Sequence, residues 1–324
     1  MAFDILVTAP RLEPAGRALL EAAGCRLAFV SLEGGREELA RKLSATPFDG
    51  VISRFVPISA EAMAGCPTLR VISRAAAGYD IIDVPAATAQ GIAVLTAVGA
   101  NAQSVAEYTI GLILACARDI PRHDQTTRAG GWERSRLGIE LHGRTLGLVG
   151  YGRIARGVAR IALAVGMRVV AWSPRLGQAG DIAPVERAAS LHDLLARADV
   201  LSLHCPLTAE TRGMIGAAEL ALLGPEAMLV NTARAGLLDE AAVVAALREG
   251  RLRAAALDVR PTEPPPAEMR LGEVPNLIQT PHMGGATTIA RDATAKTAAT
   301  HLLDVLLGRS LPPDACVNPE VLGR

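Results

Sequence analysis

Short apolar runs recur along the whole chain, each followed by an alanine-rich stretch, and this alternation constrains the fold more than any other feature. The strand candidates are Ile5–Thr8, Gly50–Ser53, Val71–Arg74, Thr145–Val149, Arg168–Trp172, Val200–His204, Met228–Asn231, Ala255–Val259 and Leu277–Gln279. Helical stretches fall between them, among them Ile154–Val165, Ser190–Ala196 and Glu240–Glu249. Strands that are apolar throughout suit parallel sheets covered on both faces. Strand and helix in regular alternation predict an α/β fold of doubly wound parallel sheets. Aromatic residues make up 3% of the 324, so Ala, Val, Leu and Ile must fill the core.

The length suits two domains. One long helical run begins near Asn101 and reaches about Arg118; a second runs from Thr288 to about Leu307. Both are expected to cross between domains. The cofactor domain, residues 99–287, is then inserted in a substrate domain made of residues 1–98 and 288–324.

Composition excludes several classes. The formal net charge is zero, which gives no electrostatic case for nucleic acid or an anionic membrane as partner. No apolar run reaches transmembrane length. The opening residues read as a first strand rather than a targeting peptide. The five cysteines, Cys25, Cys66, Cys116, Cys205 and Cys316, form no CxxC pair, so neither a disulfide framework nor a metal site is expected. Free thiols fit a cytoplasmic location.

The segment RTLGLVGYGRIARGVARIALAVGMRVVAWSPR reads strand, glycine-rich turn, helix, strand. Gly150, Gly152 and Ala155 occupy the three positions of the GxGxxG/A pattern. The first permits a tight turn, the second removes a side chain where a pyrophosphate approaches the backbone, and the third lets helix and strand pack closely. The helix N-terminus then offers N–H groups and a positive dipole end to the phosphates. The pattern alone is weak in a chain with 31 glycines; its strand and helix flanks make it specific.

Three further segments end strands on the carboxyl side: VNTARAGLLDE, ALDVRPTEPP and IQTPHMGGAT. They place Arg234, Glu263 and His282 where open α/β sheets bind ligands. These residue types match the reduction of a 2-oxo acid. An arginine holds the carboxylate and polarises the carbonyl, a histidine delivers the proton, and a carboxylate orients it. The bland readings are a surface arginine, a solvated glutamate in a proline-rich loop, and a structural histidine. Among the other histidines, His123, His142, His192, His204 and His301, only His204 also ends a strand, and it reads as a packing residue.

With these segments together, and with RAAAGYDIIDV, NAQSVAEYTIGLILACAR, GWERSRLGIELHGRTLGLVGYGRIAR, LHCPLTAETRGMI and VNPEVL, the chain resembles the D-isomer-specific 2-hydroxyacid dehydrogenase family over almost its whole length. Within that family it is similar to the catalytic core of 3-phosphoglycerate dehydrogenases and to glyoxylate/hydroxypyruvate reductases. The resemblance implies an NAD(P)-dependent oxidoreductase interconverting a D-2-hydroxy acid and its 2-oxo acid, and a homodimer built through the cofactor domain. It implies that Arg234, Glu263 and His282 are catalytic. It also implies that Gly150, Gly152, Arg153, Ile154, Cys205, Thr232, Ala233, Asp258, Gly284 and Gly285 line the cofactor, Asp258 on its nicotinamide side. Backbone around Ala76, Ala77 and Gly78 is expected to meet the substrate carboxylate.

The chain departs from the family pattern in places. Ser173 stands where NAD users carry a ribose-reading acid, and Arg175 follows it, so NADP is favoured over NAD. The turn usually written RAGVGxDN reads RAAAGYDI. The sequence closes on VNPEVLGR with no appended regulatory domain, so serine feedback is not expected. Arg54 and Arg74 are candidate cations for a substrate tail, Arg54 the first choice, although a strand-end arginine is more often ion-paired. Two other functions share the fold: a cofactor-gated scaffold of the corepressor type, and a formate- or phosphite-type dehydrogenase. The first lacks its disordered tails here, and the second its extra active-site residues.

Overall fold

The structure is a computed structural model that describes residues 2–174, 176 and 182–323. In chain order it begins β1 (Asp4–Val7), α1 (Pro14–Ala22), β2 (Arg26–Phe29), α2 (Gly35–Ala45), β3 (Gly50–Ser53), α3 (Ala60–Ala64), β4 (Val71–Arg74), α4 (Val84–Ala89) and β5 (Ala93–Thr96). Then come α5 (Ala102–Ala117), α6 (Ile120–Arg128), β6 (Thr145–Val149), α7 (Arg153–Ala164), β7 (Arg168–Trp172), β8 (Glu186–Arg187), α8 (Leu191–Arg197) and β9 (Val200–Leu203). The chain continues through α9 (Ala217–Leu220), β10 (Met228–Asn231), α10 (Glu240–Arg248), β11 (Ala254–Leu257) and β12 (Leu277–Gln279) to α11 (Thr288–Leu306).

These elements form two compact units, Met1–Asn101 with Thr287–Arg324, and Ala102–Ala286. The expectation that two long helices cross between domains is corrected. Helix α5 belongs wholly to the second unit and α11 wholly to the first.

The first unit holds a parallel sheet in the order β2-β1-β3-β4-β5. Its continuous apolar strands are explained by side-chain alternation. Ile5, Val7, Ile52 and Val71 point into a core closed by α1 and α11. Leu6, Val51, Ile72 and Val94 point into the opposite core with Leu39, Leu43 and Met63.

The second unit holds a parallel sheet in the order β12-β11-β10-β9-β6-β7-β8. Leu146, Leu148, Val169 and Val230 face Ala155, Val158 and Ile113 on one side. Val149, Leu201, Leu229 and Leu257 face Leu194, Val243 and Leu247 on the other. Strand order reverses direction at β6/β9 in this sheet and at β1/β3 in the first. The carboxyl ends of strands at such switch points form the crevices where ligands bind.

Strands β2, β5 and β8 were not among the sequence candidates. Each is four residues or fewer, and β2 and β8 show exposed residues rather than a buried run. Strand β5 is fully buried, and it is pairing with β4 on one side and main-chain bonds with the C-terminal segment on the other, from Val317 to Val94 (2.8 Å) and from Thr96 to Ala315 (2.9 Å), that make it a strand.

Candidate active site

Three loops of the second unit converge after β10, β11 and β12. Asn231, fully buried at the end of β10, shapes the first. Its side-chain amide donates to the Arg234 carbonyl (2.8 Å), and its side-chain oxygen accepts from the Ala233 N–H (3.0 Å). Arg234 is half-buried with extended backbone (φ −145, ψ 137), and its guanidinium donates to the Ala233 carbonyl (2.7 Å). Thr232 is buried, and its hydroxyl lies 2.9 Å from that of Thr109 on α5.

Asp258 follows β11 and organises the loop after β12. It is 1% exposed. Its carboxylate accepts from the Thr280 hydroxyl (2.6 Å), the Met283 N–H (2.7 Å) and the Gly284 N–H (2.8 Å). Its carbonyl accepts from the His282 N–H (2.8 Å). His282 therefore sits in a clamped turn with φ 55, a left-handed conformation that a histidine adopts only when its surroundings hold it. Asp258, expected from the resemblance to face the nicotinamide side of the cofactor, thus uses both carboxylate oxygens to hold the loop that carries His282.

The His282 ring projects from the turn with 48% of its side chain exposed. Its Nδ1 lies 2.7 Å from Glu263 Oε2. The other oxygen, Oε1, accepts from the Arg260 N–H (3.0 Å). Partial burial of Glu263 opposes its charge. The His282 ring and the Arg260 N–H, with the charges of His282 and Arg234, outweigh that and hold the carboxyl below the usual glutamate range. Arg234, Glu263 and His282 thus form one electrostatic set.

The glycine turn lies after β6 in the same unit. Gly150 has φ +89, and a Cβ there would stand 2.7 Å from the His204 carbonyl, so the position is closed to any side chain. Gly152 differs: φ is −83 and a Cβ would meet nothing within 4 Å. Protein packing gives no reason for a glycine there, whereas a phosphate group would. Helix α7 begins beyond it with no side-chain cap and no acid in its first turn, which leaves its N-terminus fit for an anion. Ala155 is fully buried, Arg153 exposed and Ile154 half-buried. These residues fit a dinucleotide.

Ser173 is half-buried just beyond β7, and its carbonyl accepts from the Leu176 N–H (3.0 Å). Arg175 and Asp181 lie outside the described residues. Cys205 is half-buried; burial pushes its thiol up to about 11. His204 packs beside it, 2.9 Å from the Ser202 hydroxyl, with burial pushing its imidazole down to about 4. Gly284 is buried and its carbonyl accepts from Ser104 (2.8 Å), while Gly285 is half-buried.

In the first unit, Ala76, Ala77 and Gly78 form a half-buried loop after β4. Arg74 braces it by donating to the Gly78 carbonyl (3.0 Å), and it also binds the Arg54 carbonyl. Arg54, the candidate cation for a substrate tail, has its guanidinium gripped at two points by Glu13, at 2.5 and 3.0 Å, and its side chain is 9% exposed. That pair compensates its charge within the first unit.

Sequence reading missed Asn231, Glu13, Thr280 and Arg260. An Asn ending a strand just before a loop was a usable signal for the first. The others left no local trace. Among the described residues, no group of three or more His, Cys, Asp or Glu side chains is placed to hold a metal ion, and no helix is long and apolar enough to cross a membrane.

A family model described as D-isomer specific 2-hydroxyacid dehydrogenase, NAD binding domain, matches residues 110–284, more than half of the chain. The chain belongs to the D-isomer-specific 2-hydroxyacid dehydrogenase family. It is 40% identical over 306 residues to a D-3-phosphoglycerate dehydrogenase of Methanocaldococcus jannaschii, covering 94% of this chain and 57% of that protein. This 2-hydroxyacid dehydrogenase family member therefore spans little more than half the length of that relative. It is 41% identical over 273 residues to a glyoxylate reductase of Aeropyrum pernix, covering 82% of this chain and 81% of the other. Among solved structures, the TT0316 protein of Thermus thermophilus superposes with TM-score 0.87 at 37% identity, over 97% of this chain and 99% of that one.

Proposed function

We propose that this chain reduces a small 2-oxo acid to its D-2-hydroxy acid, or runs the reverse oxidation, with His282, Glu263 and Arg234 as the catalytic set. The observation that carries the reading is the 2.7 Å contact of His282 Nδ1 with Glu263 Oε2. With Nδ1–H donated to the carboxylate, Nε2 is the nitrogen that delivers a proton to the substrate oxygen. Glu263 orients the ring and stabilises its charged form. Arg234, with its planar fork, binds the carboxylate and polarises the adjacent carbonyl.

Gly150, Gly152, Arg153 and Ile154 would hold the pyrophosphate of a nicotinamide dinucleotide, and Thr232, Ala233, Cys205, Gly284 and Gly285 the rest of it. When bound, the nicotinamide supplies or accepts the hydride. NADP is the favoured form, because Ser173 brings no charge to repel a 2′-phosphate. The named relatives act on 3-phosphoglycerate or glyoxylate. The commitment of Arg54 to Glu13 favours the unphosphorylated glyoxylate/hydroxypyruvate class, since a phosphate tail wants an uncompensated cation. Family resemblance supports a cytoplasmic homodimer.

The test is cofactor absorbance with NADH and NADPH against glyoxylate, hydroxypyruvate and 3-phosphohydroxypyruvate. His282→Ala is expected to cut turnover by roughly a hundredfold or more. Full turnover in that variant sinks the assignment.

A further inference from the structure

Arg260 stands three residues before Glu263 and is buried, its side chain 8% exposed. Its guanidinium reaches in three directions. Nη2 donates to Glu240 Oε1 (3.1 Å) at the start of α10 and to the Met269 carbonyl (2.6 Å). Nη1 donates to Gln279 Oε1 (3.1 Å) at the end of β12. Nε lies 2.9 Å from Glu240 Oε2. The main-chain N–H of the same residue donates to Glu263 Oε1 (3.0 Å), and the other oxygen of that carboxylate meets His282.

One residue therefore ties an irregular loop to a helix and to a strand, and also holds the carboxylate that holds the imidazole. The loop carries Pro264–Pro266 and forms no strand, so its place depends on such side-chain anchors. A buried arginine is costly unless paired, and Glu240 supplies the pair. With its charge consumed there, the effect of Arg260 on the reaction is geometric.

We propose that Arg260 is the positioning residue of this site. Anchored on Glu240, it sets the place of Glu263 and through it the orientation of the His282 ring. The proposal rests on the reading of His282 and Glu263 as a working pair.

The test is a double-mutant cycle on kcat, with hydroxypyruvate and saturating reduced cofactor. Arg260→Met is expected to lower kcat about tenfold and leave the cofactor KM within about twofold, as befits a group acting in the transition state through another. Glu240→Gln shifts kcat the same way by less. Arg260→Lys, which keeps the pair but not the fork, recovers part of the loss. In the Glu263→Gln background, Arg260→Met adds little, because the path already runs through Glu263. A purely structural role predicts effects that multiply.

A second readout needs no turnover. The downfield imidazole proton that disappears in His282→Asn is expected to broaden or vanish in Arg260→Met and in Glu240→Gln, a variant that keeps the side-chain length if Arg260→Met folds poorly. Wild-type kcat in both variants, full multiplication with Glu263→Gln, or an unchanged imidazole proton overturns the proposal. If His282→Ala and Glu263→Gln are themselves fully active, the reading beneath it falls. If those two are crippled while the Arg260 and Glu240 variants are not, only the present proposal falls.

Discussion

The carboxylate of Asp258 accepts the main-chain N–H of Gly284 at 2.8 Å, across a turn whose middle is the left-handed His282. With bonds from Thr280 and Met283, a buried acid thus does for the His282 turn what regular secondary structure does elsewhere.

Asp258→Asn keeps the shape but puts a donor where acceptors are needed. Leaving a buried N–H unsatisfied costs about 1–3 kcal/mol, so thermal unfolding is expected to move down by several degrees. Turnover falls further than stability explains, because the His282 turn relaxes. An unchanged kcat in a folded Asp258→Asn protein would mean that the turn holds without its acid.

Two glycines of one turn are expected to respond oppositely. Gly150→Ala meets the His204 carbonyl and a positive φ, so the protein is destabilised by more than about 1 kcal/mol. Gly152→Ala meets no protein atom, so stability is unchanged or slightly raised while cofactor affinity drops. Denaturant melts and cofactor titrations separate the two, and normal cofactor binding by Gly152→Ala would refute the reading of that space as the phosphate cradle.

Stability should depend on pH through His204. Burial pushes its imidazole from 6.5 down to about 4, so between those values the unfolded chain takes up a proton that the folded chain refuses. The stabilisation is present above the unfolded value and is lost as pH falls towards the folded one. By linkage, urea melts at a fixed temperature should lose about 2 kcal/mol from this group between about pH 7.5 and about pH 5. His204→Gln, which does not titrate, should flatten that part of the profile; equal slopes in both proteins would remove His204 as the cause.

Cofactor preference is expected to follow one position. The parent should show a higher kcat/KM with NADPH than with NADH, and Ser173→Asp should reverse the order by placing a charge against the 2′-phosphate. A parent that prefers NADH ends the proposal.

Much of this molecule was legible in the order of its residues. Gly50–Ser53, Val71–Arg74, Thr145–Val149, Arg168–Trp172, Met228–Asn231 and Leu277–Gln279 are strands with the bounds that their apolar runs announce. A run of that kind is a local signal, since its apolar side chains favour burial whatever their partners are. The Gly150 turn is local in the same way, because its demand is on one residue's backbone. Tertiary structure alone decided the pairings. Arg54 finds Glu13, Arg260 finds Glu240, and Asp258 finds a turn some two dozen residues on. Sheet order brings those partners together, and a charged side chain reads the same in sequence whether it meets solvent, a ligand or a partner from another strand.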